Sequence, residues 1–146
     1  MVMKRITIAL MLIVGVFLTG CTKNYSPITY TKFVESFNGK ENYVVKDKSK
    51  DYEEEYTRCF ISSKKDVLFT YYEFETEEKA KDYVVKNYDN RKNYKLKDKK
   101  IYTTVKNTSG MYFYLVQIDK VVISGSSDSK KNKGEINKII DEMLGD

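Results

Sequence analysis

The chain opens on an apolar run, Ile6 to Leu18, preceded by Lys4 and Arg5 and followed by Thr19-Gly20-Cys21. A run of about 13 residues is too short to cross a bilayer core, which needs roughly 20 helical residues. Its basic start and small-residue finish predict a cleavable export signal. Beyond it the apolar positions recur at structural periods. Tyr30, Phe33, Val34 and Phe37 follow the candidate N-cap Thr29 at helical spacing until Asn38-Gly39, which predicts a helix from Tyr30 to Asn38. Asn42 to Asp47 reads as a short strand, and Ser49 to Glu55 as a charged connection. Tyr56 to Ser62 and Val67 to Phe74 are rich in aromatic and β-branched residues. With Ser63-Lys64-Lys65-Asp66 between them they predict an antiparallel hairpin with a four-residue turn.

Thr76, with Glu77 and Glu78 in the first turn, starts a second helix that places Ala80, Tyr83, Val84 and Tyr88 on one side. Lys92 to Lys100 is polar and holds at most a short strand near Tyr94 to Lys97. Ile101 to Lys106, Met111 to Ile118 and Val121 to Ser124 predict a three-stranded meander, with turns at Asn107 to Gly110 and Asp119-Lys120. Asn132 and Glu135 have capping-box spacing before a last helix with Ile136, Ile139, Ile140 and Met143 inward, ended by Gly145.

The predicted order is α-β-β-β-α-β-β-β-α. Short turns make the sheet mostly antiparallel, with the helices packed on one face, an α+β domain. The symmetry of that order suggests an internal duplication. Asn42-Tyr43-Val44-Val45-Lys46-Asp47-Lys48 recurs 51 residues later as Asn93-Tyr94-Lys95-Leu96-Lys97-Asp98-Lys99, in a chain whose Lys and Tyr content makes chance matches common. Residues 1–20 read as the signal, 21–28 as a modified cysteine and short tether, and 29–146 as a single domain.

Charge and composition narrow the chemistry. Lys4 and Arg5 depart with the signal, leaving 24 Lys+Arg against 21 Asp+Glu, or +3. That suits weak attraction to anionic headgroups or wall polymers and is far from a nucleic-acid footprint. The chain has no His. This excludes Ser-His-Asp and Cys-His catalysis and histidine-ligated zinc. Of the two cysteines, modification of Cys21 leaves Cys59 without a partner.

The remaining candidates are few. Cys59 alternates with Thr57 and Ile61 along a strand, the pattern of a buried core thiol. Ser62 with Lys65, and Ser127 with Lys130, have the serine-lysine spacing of penicillin-recognising enzymes, but Ser62 falls in the predicted hairpin turn and the companion motifs are missing. Asp51 with Glu53-Glu54-Glu55 lacks the spaced loop of a calcium site. Arg91, Lys92, Lys95, Lys97, Lys99 and Lys100 form a candidate contact for an anionic surface. Tyr71, Tyr112 and Tyr114 form a candidate aromatic contact, if the face that carries them is not core.

Leu18-Thr19-Gly20-Cys21 resembles a bacterial lipobox, and the chain as a whole resembles the small lipoproteins of low-GC Gram-positive bacteria. The resemblance implies cleavage before Cys21, a covalent diacylglyceryl lipid on its thiol, and a place on the extracytoplasmic face of the membrane. No other cofactor is implied. The expected function is non-enzymatic binding of an envelope protein or anionic wall polymer. The competing expectation is a small enzyme using carboxylates or a Ser-Lys pair.

Overall fold

A computed structural model describes residues 27–88, 95–98, 101–108 and 110–145, the strands at 95–98 and 101–108 by their backbone alone. Cys21 and the signal lie outside the described residues. The elements are α1 (Tyr30–Glu35), β1 (Val44–Asp47), a 3-10 turn (Ser49–Tyr52), β2 (Arg58–Lys64), β3 (Val67–Glu73), α2 (Glu77–Tyr88), β4 (Lys95–Asp98), β5 (Ile101–Thr108), β6 (Met111–Ile118), β7 (Val121–Ser127), a second 3-10 turn (Lys130–Asn132) and α3 (Lys133–Leu144). The strands form one seven-stranded sheet in the order β1-β2-β3-β7-β6-β5-β4, with every neighbouring pair antiparallel. The α+β class and the antiparallel sheet agree with the sequence, which predicts one strand fewer: β4 forms where only a marginal strand is expected.

Local chemistry sets the helix ends. The Thr29 hydroxyl accepts from the Lys32 N–H at 3.2 Å, and the Thr76 hydroxyl accepts from the Lys79 N–H at 3.2 Å. Gly145 takes the left-handed conformation, φ 78°, that closes α3. The expected capping box at Asn132 does not form. The Asn132 amide donates to Ser127 Oγ at 2.9 Å, and Glu135 instead accepts from Tyr43 OH at 2.9 Å and Lys64 Nζ at 3.0 Å. A carboxylate that can tie Tyr43, just before β1, and Lys64 of β2 to α3 is drawn away from its own helix end.

The helices cover both faces of the sheet, not one. Alternation sorts the side chains into two clusters. On the first face Val67, Phe69, Tyr71, Tyr112, Tyr114 and Val116 pack beneath Phe33 and Phe37 of α1 and Ile136, Ile140 and Met143 of α3. On the second, Cys59, Leu115 and Val122 pack against Ala80 and Val84 of α2. The topology explains the arrangement. The sheet order is mirrored about β7, so that β1, β2 and β3 correspond to β4, β5 and β6, and each corresponding pair is separated by an even number of antiparallel steps. Corresponding strands therefore run in the same direction. A two-fold rotation about an axis along β7 preserves direction and exchanges the faces, which puts α1 and α2 on opposite sides. The 51-residue sequence offset superposes β1 on β4, residue for residue.

α3 reaches the sheet closely at one point. A Cβ on Gly125 of β7 would stand 2.6 Å from Ile136 Cγ2 and 2.8 Å from Phe69 Cε1, both buried side chains. Gly125→Ala should therefore overpack this contact and destabilise the fold by about 1–3 kcal/mol, measured by urea unfolding. Acid should act through Glu135. Burial opposes its ionisation, but hydrogen bonds from Lys64 and Tyr43 outweigh that and hold its pKa below the ordinary 4.5. A carboxyl with a lowered folded pKa adds stability at pH values above its unfolded pKa and loses it as pH falls through the folded one. The Lys64–Glu135 pair is about one-third exposed, so the contribution is under about 1 kcal/mol. Glu135→Gln should lower Tm at pH 6, and the gap between the two proteins should narrow as the pH falls below 4.5.

Candidate functional site

The described residues enclose a cleft of about 300 Å3 at the end of the sheet where the chain enters the domain. Such a volume is at the small end of ligand sites. The β2–β3 hairpin turns through Lys65-Asp66 alone, which pairs Lys64 with Val67 and so sets Arg58 opposite Glu73. Arg58, Tyr71 and Glu73 share the sheet face that carries α1. The Asp119-Lys120 turn between β6 and β7 closes the neighbouring edge, and Pro27 to Tyr30 form the roof. Ile28, Tyr71, Ile118 and Val121 supply an apolar lining.

Glu73 is the hub of its polar rim. Oε1 lies 2.9 Å from Lys120 Nζ, Oε2 lies 3.7 Å from Arg58 Nε, and Tyr71 OH donates to Oε2 at 3.2 Å. The Arg58 guanidinium stacks 4.1 Å above the Tyr30 ring, which also stacks on Phe60 at 5.6 Å. A hydrogen bond with Thr31 and then one with Arg58 lower the Tyr30 pKa, whereas burial pushes that of Tyr71 up. The carboxylate and both cations are thus committed to one another around an apolar floor. Such a rim can orient a small amphipathic group or a peptide segment by exchanging its internal ion pairs for external ones.

A second, more open groove of about 640 Å3 lies on the α2 face between Glu55, Tyr56, Phe74, Lys79, Asp82, Tyr83, Lys86 and Asn87. Its aromatic residues are held by ring contacts: Tyr56 stacks on Tyr72 beneath the groove at 4.4 Å, and Tyr83 meets Tyr56 edge-on at 5.8 Å.

Tyr71, Tyr112 and Tyr114 are core, at 1%, 1% and 8% exposure. They do not form an aromatic surface, because the face that carries them is the one α1 and α3 cover. Of the three, Tyr71 carries its hydroxyl to the cleft, and Tyr112 OH donates to Asn137 Oδ1. Arg91, Lys92, Lys99 and Lys100 lie outside the described residues, as do the side chains of Lys95 and Lys97 on β4.

Ser62 sits in β2, not in the turn. It is buried between Val45 and Phe69, and its Oγ has no hydrogen-bond partner among the described residues, so Lys65 does not engage it. Ser127 Oγ accepts from the Ser129 N–H at 3.0 Å and from the Asn132 amide at 2.9 Å. Asp51, Glu53, Glu54 and Glu55 are exposed, and no group of three or more metal-ligating side chains assembles among the described residues. No described helix is long and apolar enough to cross a membrane.

No protein-family model matches the chain, and no curated protein matches it in sequence. Among solved structures, the extracellular domain of PknH from Mycobacterium tuberculosis is similar with a TM-score of 0.30 and 19% identity, over 77% of this chain and 70% of that one. A likeness of that degree carries no argument about this chain, so its function has to be read from its own residues.

The cleft has no signature in the sequence. Its rim comes from positions 30, 58, 73 and 120, which only the strand pairing brings together. A two-residue turn at Lys65-Asp66 places Arg58 across from Glu73, whereas the expected four-residue turn shifts that register by two.

Cys59 is fully buried, and burial, followed by the nearby Asp47 and Asp51 charges, raises its pKa from 9.0 to about 11. At pH 8 that lowers the thiolate fraction about a hundredfold, before any steric exclusion. Iodoacetamide should leave Cys59 unmodified in the folded protein and alkylate it promptly in urea, read by mass spectrometry. Equal rates in the two states would contradict its burial.

Proposed function

We propose that this protein is a lipoprotein anchored through Cys21 on the extracytoplasmic face of the membrane, and that it acts there by binding another envelope component. The anchor rests on Lys4-Arg5, the apolar run and Leu18-Thr19-Gly20-Cys21. Binding is supported by the state of the nucleophiles. Cys59 is buried with a raised pKa, Ser62 is enclosed without a base, and Ser127 is held by two donors within its own loop. None of the three is presented to a substrate.

The observation that carries the reading is the position of the cleft. Pro27 to Tyr30 line it, and only Thr22 to Ser26 separate Pro27 from Cys21. Five or six residues span at most roughly 20 Å even when extended, so an anchored domain holds this cleft near the bilayer. A ligand there is an envelope component within that reach, and the paired rim of Arg58, Glu73 and Lys120 suits orientation of a bound group more than proton transfer.

Expression of the full chain in a Gram-positive host grown with an alkyne-tagged palmitate tests the anchor. The wild type and Cys59→Ser should take up the label and fractionate with membranes. Cys21→Ser should lose the label and either leave the membrane or accumulate unprocessed. Labelled, membrane-bound Cys21→Ser would overturn the proposal.

A further inference from the structure

Among the described residues, charge is segregated along the strands of the sheet. Exposed acids gather at the end that holds the cleft: Asp51, Glu53, Glu54, Glu55, Glu75 and Asp119. Three of the cations described there lie against acids, Lys48 by Asp51 at 2.6 Å, Lys120 by Glu73 at 2.9 Å and Arg58 by Glu73 at 3.7 Å, while Lys50 is exposed without an ion pair among the described residues. The opposite end is different. There the β2–β3 turn lies beside the segment that leads into α3, as the pairing of Val67 with Ser127 and the 3.0 Å contact between Lys64 and Glu135 show. Lys65, Lys130, Lys131 and Lys133 are exposed on that end. Among the described residues Lys65, Lys130 and Lys131 make no ion pair. Asp66 and Asp128 are the exposed acids of the two turns and offset only part of this charge.

The seven residues of β3 put roughly 20 Å between the two ends. With the anchor at the acidic end and the strands standing upright on the membrane, the lysines stand more than two Debye lengths, about 8 Å each at physiological salt, from the bilayer that holds the lipid. That membrane is therefore a poor partner for them. The partner must be anionic, extracytoplasmic and extended enough to reach outward lysines. Lysine ammonium groups act as point charges without the planar fork of arginine, which suits a flexible chain of phosphates better than one fixed carboxylate.

We propose that Lys65, Lys130 and Lys131, with Lys133 behind them, form a docking surface for a phosphodiester polyanion of the cell wall. The outward orientation rests on the proposed anchor at Cys21. The binding surface does not, so the two can fail separately.

The test uses the full mature chain, residues 21–146, carrying Cys21→Ser to keep it in solution, titrated with synthetic poly(glycerol phosphate) at low salt. The combined change Lys65→Glu, Lys130→Glu and Lys131→Glu should weaken binding on the order of a hundredfold. Its Lys→Gln counterpart should weaken binding by roughly tenfold, and circular dichroism should show both folded. Lys50→Glu, Lys86→Glu and Lys138→Glu together, an equal change in net charge on other surfaces, should cost no more than about threefold. Three results would overturn the proposal. One is absence of polymer binding by the starting protein, and another is equal loss in the two charge-reversed sets. The third is tighter, Lys65/Lys130/Lys131-dependent binding to phosphatidylglycerol vesicles, which would make the partner a membrane.

Discussion

β7 enters the sheet last in sequence yet lies at its centre, paired along its full length with β3 on one side and with β6 on the other. Without it, β1 to β3 and β4 to β6 are separate three-stranded sheets, with Tyr71 and Tyr72 of β3 and Tyr114 and Leu115 of β6 on opposite faces. A small antiparallel meander cannot keep both faces dry with one helix. β7 joins the two units with their helices on opposite sides and brings α3 back over the first face, where Ile136, Ile140 and Met143 complete the core with Phe33 and Phe37. Gly125 is the local cost of that closure. β7 gives up a side chain where α3 and Phe69 need the space.

The same closure places the charges. Arg58, Glu73 and the Asp119-Lys120 turn belong to different strands, and they meet because β3, β7 and β6 are consecutive in the sheet. At the other end, the β2–β3 turn and the approach to α3 meet because β3 and β7 are neighbours. One ladder therefore builds a paired, partly apolar cleft at the end where the chain enters and an unpaired cluster of lysines at the end away from it.

Much of this is legible in the sequence, and the limits have physical causes. Short elements with strong local chemistry form as their residues predict: Thr29 and Thr76 cap their helices, Gly145 ends α3, and the hairpin and meander form where β-branched and aromatic residues cluster. Alternation shows which residues share a face, and so groups Tyr112 with Tyr114 and Val116. It does not say which face a distant helix covers, since that depends on a crossover between strands far apart in sequence. That is why the sequence places the helices on one side and leaves three core tyrosines as candidates for a surface. The capping box at Asn132 fails for a similar reason, because Glu135 has better partners in Tyr43 and Lys64 than its own helix end provides. Cys59 reads as core from its alternation with Thr57 and Ile61 and the tendency of a free cysteine to be buried, and it is buried.

If β7 unites the two halves into a single cooperative unit, native-state hydrogen exchange of the mature chain tests this most directly. Amides of β3, β6 and β7 should exchange only through global unfolding, with the same free energy on both sides of β7 and the same dependence on denaturant. Exchange of β2 and β3 through a cheaper opening while β5 and β6 stay protected would mean that the halves are separately stable, and would contradict the central place of the β3–β7–β6 ladder.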